Sequence, residues 1–269
     1  MLFRSLVFLL TLFVVPSCYS QQDSSRTHRS DIASADASSF FHDAGAVVTS
    51  PLRFSATDWV HTAKIVGGTA LLCVIDEPAR SLSQKNQSTF GGHVASVGRE
   101  YGREVNAFMF SGGVYVSGLV FKNTELRKSG LMMFESVVFA GTITTVIKSL
   151  VGRSRPYTDE GATRFSGFQF KHQTTSLPSG HSTVAFAMST VLAGRIKNTY
   201  ATVGLYSLAT LTALSRVYDD EHWISDTFLG AAIGTCVGVT VLHLNEDRGD
   251  DMSFHLSPTP DGITVAVVF

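Results

Sequence analysis

The strongest constraint on this chain is a pair of apolar stretches, residues 105–121 and 227–244, that contain no Asp, Glu, Lys or Arg. Each lies at the lower edge of membrane-spanning length for a helix. In the second, Gly230, Gly234 and Gly238 recur every four residues, so one helix face is a stripe of small residues that a neighbouring helix can approach closely. Further helical runs are predicted over 130–151, 181–195 and 199–215, and the last helix is predicted to open early and run over 222–244. Upstream, 58–76 reads as a helix carrying His61 and Lys64, and 82–101 is weakly amphipathic and punctuated by glycine. Charged residues make up only 16% of the chain and hydrophobic ones 44%, a balance suited to packed apolar helices. The formal net charge of −1 gives no general pull toward nucleic acid.

The ends differ in character. Residues 1–20 carry Arg4, an apolar run and then small residues around Cys18, the pattern of a secretory signal peptide; the run is too short to span a bilayer comfortably. Cleavage after Ser20 and lipidation at Cys18 are both open. Residues 21–38 are polar and lack apolar periodicity, so a flexible linker is predicted there. The helical domain is predicted over 39–246. In 247–269 a polar break precedes two alternating segments around Pro258-Thr259-Pro260-Asp261-Gly262, predicted as a short β-hairpin. Cys73 and Cys236 lie in apolar runs and read as buried, inert thiols, with no disulfide framework or zinc spacing.

Three polar clusters interrupt the apolar pattern. The first is Lys148-Ser149-Leu150-Val151-Gly152-Arg153-Ser154-Arg155-Pro156, in which Lys148 and Arg155 are two helical turns apart and Pro156 ends the helix. The second, Pro178-Ser179-Gly180-His181-Ser182, is helix-start chemistry: unpaired N–H groups, a hydroxyl and a glycine allow an anion to approach the backbone. The third runs from Ser215 to Asp226. If its helix starts near Glu221, His222 and Asp226 stand at i and i+4 and share a face, so that the carboxylate fixes the imidazole tautomer. Each cluster alone has an ordinary structural reading as a cap, a dipole partner or a satisfied pair. Together they supply Lys148, Arg155, Arg216, Ser179, the Gly180 amide, two histidines and one aspartate, which is what a phosphoryl group needs where no metal is available. No metal-binding motif accompanies them. His93, His172 and Asp159 fit no pattern and read as loop or surface residues. Asp219, Asp220 and Glu221, just before His222, are expected to face solvent, because carboxylates pointing inward would repel an anion.

Lys-x6-Arg-Pro, then Pro-Ser-Gly-His, then Ser-Arg-x5-His-x3-Asp resembles the three-part pattern of the type 2 phosphatidic acid phosphatase (PAP2) family, shared with the vanadium haloperoxidases. The match is complete at every named position. The resemblance implies an all-α bundle of about six helices with the site at one end. It implies that His222 is the nucleophile, Asp226 its orienter and His181 the general acid and base. Lys148, Arg155, Arg216, Ser179 and Gly180 would then hold the phosphate. It implies no cofactor, and a substrate that is a phosphorylated lipid or a small phosphate ester. A soluble periplasmic acid phosphatase and a vanadate-dependent haloperoxidase share the pattern and stay open. Oligomeric state is not legible.

Cationic short loops bear on orientation. Lys122, Arg127 and Lys128 fall in 122–130, and Arg195 and Lys197 in 195–198. If the helices span a membrane, the positive-inside tendency puts both loops in the cytoplasm and all three motifs outside, in keeping with export. With a cleaved signal, helix 58–76 then lies on the surface rather than across the bilayer. A mean hydropathy of +0.18 leaves a soluble exported protein open as well.

Overall fold

A computed structural model describes residues 29–168, 170–247, 253–259 and 262–268. The expected signal segment 1–20 lies outside them. The chain divides into two compact units, Met1–Ala37 and Ser38–Phe269. Nine α-helices occur among the described residues rather than about six: α1 (Arg29–Thr49), α2 (Ala56–Cys73), α3 (Asp76–Lys85), α4 (Thr89–Tyr101), α5 (Glu104–Val120), α6 (Thr124–Val151), α7 (Gly180–Ile196), α8 (Thr199–Tyr218) and α9 (Ile224–Asp247). Beyond them β1 (Ser253–Thr259) pairs antiparallel with β2 (Gly262–Val268), Thr259 opposite Gly262.

The boundaries follow local chemistry. Helix α1 begins inside the stretch 21–38 where a linker is expected, and residues 21–28 lie outside the described set. Helix α2 starts on a capping box between Ser55 and Asp58. The single helix expected over 58–76 breaks after Cys73, and α3 leaves at 55°. Asp76, Glu77 and Pro78 are a helix-start signature, with acidic groups at the positive end of the dipole and a proline where no N–H is needed. Ser88 caps α4 and divides the expected 82–101 segment. Asn123 caps α6, which therefore begins six residues earlier than 130 and is 28 residues long.

Helix α7 is the centre of the bundle. Residues 182–185 and 187–191 are all buried, so apolar and small polar groups face neighbours on every side. Val184, Ala187, Met188 and Val191 meet Met132, Met133, Val137 and Ala140 of α6 and Val237 and Val241 of α9 in one core. The α9 glycines make the closest seam. A Cβ at Gly230 would lie 2.5 Å from the Ser179 carbonyl oxygen, and one at Gly234 would lie 2.3 Å from that of Thr183. No side chain fits there, so backbone meets backbone.

The outward faces are apolar. Trp59, Leu71, Met109, Val116, Val146 and Val239 are all exposed. Cys236 is exposed rather than buried, because it lies on α9 away from the glycine seam. Among the described residues two helices, Thr124–Val151 and Ile224–Glu246, are long and apolar enough to cross a membrane, and the bent pair α2–α3 adds a third if it counts as one span.

Candidate active site

Four segments meet at one end of the bundle: the C-terminus of α6, the start of α7, the C-terminus of α8 and the turn into α9. Their placement is backbone-driven. The Ser179 amide donates to the Asp226 carbonyl at 2.9 Å, fixing the start of α7 against α9, and the His222 amide donates to the Arg216 carbonyl at 3.2 Å.

Lys148, in the last turn of α6, donates from Nζ to the carbonyls of Thr175 (2.7 Å) and Ser176 (3.3 Å). Beyond it Gly152 ends the helix in the left-handed region, φ 64°, as a helix-terminating glycine does. Arg155 follows, held through Nε by the His172 carbonyl at 2.8 Å. Ser179 precedes α7 without capping it, and its Oγ is buried with no hydrogen-bond partner. A Cβ at Gly180 would stand 3.3 Å from Glu104 Oε1 and 3.9 Å from Lys148 Cε, so the glycine keeps this opening clear. Arg216 is buried at the end of α8.

His222 is 3% exposed, and Lys148, Arg155, Arg216 and His181 all act on its charge. Burial holds its imidazole well below the ordinary histidine range, and Lys148, Arg155 and Arg216 push it further the same way. His181 is lowered to about 4, again first by burial and then by Arg216, Arg155 and Lys148. The structure thus brings together every residue singled out from the three clusters.

Two expectations are corrected. Helix α9 begins at Ile224, so His222 precedes it rather than sharing a helical face with Asp226. Asp226, in the first turn, accepts the Trp223 amide at 2.9 Å, a half capping box that draws the carboxylate over the helix start. His222 Nδ1 is then 3.6 Å from Asp226 Oδ2, beyond hydrogen-bond length, with Ser176 Oγ 3.4 Å from the same nitrogen. Nor do the three carboxylates simply face solvent. Glu221 Oε2 lies 2.5 Å from Arg155 Nη1, Asp219 pairs with both Arg216 and Arg99, and Asp220 takes Arg80 at 2.7 and 2.8 Å. Buried guanidinium groups demand a counter-charge, and these carboxylates supply it.

Four groups were not legible as site residues. Arg153 is fully buried. Its Nη1 bonds Asp226 Oδ1 (2.6 Å) and Ser225 Oγ (2.7 Å), and its Nη2 bonds Asp76 Oδ2 (2.6 Å). Ser225 also donates to Asp76 from its amide (3.0 Å) and hydroxyl (2.6 Å). Ser176 Oγ donates to Asp226 Oδ2 at 2.5 Å. The charged spacing around Arg153 was a visible signal; Asp76, on a different helix and in no motif, offered none. His172 is an exposed residue of the connection between α6 and α7, as expected; Tyr157 Oη lies 3.0 Å from its Nδ1, and partial burial and Arg155 lower its pKa. Asp159 pairs with Arg80 at 2.8 Å.

Fold and site define an all-helical bundle with a cation-lined, two-histidine cluster at one end. Residues 129–250, the segment that carries every one of these motif residues, match the model of the PAP2 superfamily. The chain is 28% identical over 137 residues to a PA-phosphatase related-family protein of Dictyostelium discoideum, covering 45% of this chain and 50% of that protein. It is 33% identical over 110 residues to the lipid A 1-phosphatase of Rhizobium etli, covering 39% and 45%. The chain thus spans half or less of the length of these curated relatives. Its fold is similar to that of the transmembrane PAP2 type phosphatidylglycerolphosphate phosphatase of Bacillus subtilis, with TM-score 0.55 over 69% of this chain and 96% of that one at 19% identity, a likeness of fold alone.

Proposed function

We propose that this protein is a PAP2-type phosphatase that hydrolyses a phosphate monoester or pyrophosphate of a lipid through a phosphohistidine. The observation that carries the reading is the convergence of neutral His222 with Lys148, Arg155, Arg216 and His181 at the unpaired start of α7. His222 Nδ1 faces Asp226 and Ser176, which leaves Nε2 as the atom that attacks phosphorus in line. His181 gives its proton to the leaving oxygen, then takes one from the water that cleaves the P–N bond. Lys148, Arg155 and Arg216, with Ser179 Oγ and the Gly180 amide, hold the phosphoryl oxygens and bring the positive charge that a metal would otherwise supply.

A lipid substrate is favoured by the apolar outer faces, which fit a bilayer better than water, and by the names of the relatives. In this reading α6 and α9 cross the membrane, the domain is 39–246 after an exported N-terminal segment, and the site faces the outside. Lys122, Arg127 and Lys128 lie at the opposite end of α6 from Lys148, in keeping with that orientation.

The test is turnover of lipid phosphates by purified protein with EDTA present, together with trapping of an acid-labile, alkali-stable phosphoryl label. Turnover and label should both survive EDTA and both disappear in His222→Ala. Loss with EDTA, or a label retained by His222→Ala, would sink the mechanism.

A further inference from the structure

The connection between α6 and α7 displays three phenylalanines toward the outside. Phe168 is 78% exposed and Phe170 84%, whereas Phe165 is half exposed and rests on the Arg153 guanidinium, 5.5 Å from its ring. The display is held rigidly. Gly167 and Phe168 donate their amides to the Val151 and Leu150 carbonyls (3.2 and 3.3 Å), and Ser166 donates to that of Gly152 (2.9 Å). These bonds satisfy the last carbonyls of α6. Phe168 adopts φ 43°, a left-handed conformation that a bulky side chain avoids, so the stitching to α6 keeps this ring outward against its backbone preference.

The surroundings say what covers the rings. Val146 and Leu150, exposed on the last turns of α6, continue the apolar surface from a helix of membrane-spanning length directly onto this connection. Arg164 and Lys171 are exposed beside the rings. The nearby acids are already engaged, Asp159 with Arg80 and Glu160 with Ser154 Oγ. Apolar rings flanked by cations at the end of a spanning helix are the composition of an interfacial face, in which the rings bury at the headgroup–acyl boundary and the cations meet lipid phosphates.

We propose that Phe168 and Phe170 seat in the headgroup–acyl boundary of an anionic bilayer, with Arg164 and Lys171 on its phosphates, and so set the active-site mouth at the membrane surface. The mechanical link is short: the same connection supplies the Thr175 carbonyl to Lys148 and the Gln173 carbonyl to the Arg155 amide, while Phe165 backs the arginine that holds Asp226. This rests on the reading that α6 spans the membrane.

Two measurements separate the readings. Phe168→Trp and Phe170→Trp, each placed in a Trp59→Phe background and read as the difference from that background so that the buried Trp223 cancels, are reconstituted in phosphatidylglycerol vesicles with and without brominated acyl chains. The new tryptophan should emit to the blue, be quenched by the brominated lipid and be shielded from iodide. Emission typical of water, quenched by iodide and untouched by bromine, overturns the anchor, even if the protein withstands an alkaline carbonate wash and the spanning reading stands. Release by carbonate overturns the spanning reading alone if bromine quenching persists. In parallel, the double variant Phe168→Ser/Phe170→Ser should lose about tenfold in turnover of lipid phosphate in vesicles and keep its turnover of p-nitrophenyl phosphate. An equal loss on both substrates, or none on either, counts against the anchor.

Discussion

Arg153 Nη1 stands 2.6 Å from Asp226 Oδ1, with both side chains fully buried. The carboxylate that faces His222 is therefore held by a cation that itself leans on a second buried carboxylate, Asp76. A buried charge chain of this kind is costly to interrupt, since each removal strands a partner.

Arg153→Met is accordingly expected to destabilise the protein by about 3–5 kcal/mol, because two buried carboxylates lose their counter-charge. Adding Asp76→Asn should recover part of that loss, giving a non-additive double-mutant cycle. Thermal unfolding in detergent reads both; strictly additive effects would mean the two groups do not act as one network.

Glu221 occupies Arg155, a proposed phosphate ligand, at 2.5 Å. Glu221→Gln removes the competing charge, so inorganic phosphate should inhibit roughly 3- to 10-fold more tightly, in the range of one ordinary net hydrogen bond. Titration calorimetry with phosphate decides it. Weaker binding in the variant would show that Glu221 positions Arg155 rather than competes for it.

The pH dependence follows from His181. Burial and three cations hold it near 4 in the free site, so its protonated, proton-donating form fades as pH rises above that value. A bound dianion offsets the cations and raises the pKa. The descending limb should lie at higher pH in kcat, which reports the complex, than in kcat/KM, which reports the free enzyme. His181→Asn should abolish this limb and cost about 10²–10⁴-fold in rate. Coincident limbs in the two profiles would argue against His181 as the acid.

Gly234→Ala tests the seam. Its Cβ would lie 2.3 Å from the Thr183 carbonyl oxygen, which belongs to backbone and cannot swing aside. Forcing the helices apart should cost about 1–3 kcal/mol. It should also lower turnover, since α7 carries His181 and α9 carries Asp226. Unchanged melting and turnover together would mean that the seam yields freely.

The motif residues were legible because their chemistry is local: a helix end, a capping sequence and a His–Asp spacing each leave a short trace. The apolar stretches likewise gave the main helices α5 to α9. What escaped depends on distance or on competition. Asp76 joins the site from another helix, and nothing near it in sequence announces a buried arginine. The His222–Asp226 spacing suits a helix and predicts an early start for α9, whereas the bond from the Trp223 amide to Asp226 puts the helix start after His222. Repulsion of an anion alone would send the carboxylates at 219–221 to solvent; four arginines compete for them, and those lie on α3, α4 and α8 and beyond α6.

The glycine contacts between α7 and α9 have a consequence for how such a site can diverge. Because carbonyl oxygens and α-carbons set the spacing of the two helices, the separation of His181 on α7 from Asp226 on α9 does not depend on which side chains clothe the outer faces. Residues on the outward faces can be exchanged wholesale while these two groups keep their register. A chain built this way can change its outer surface without moving the polar cluster at its end.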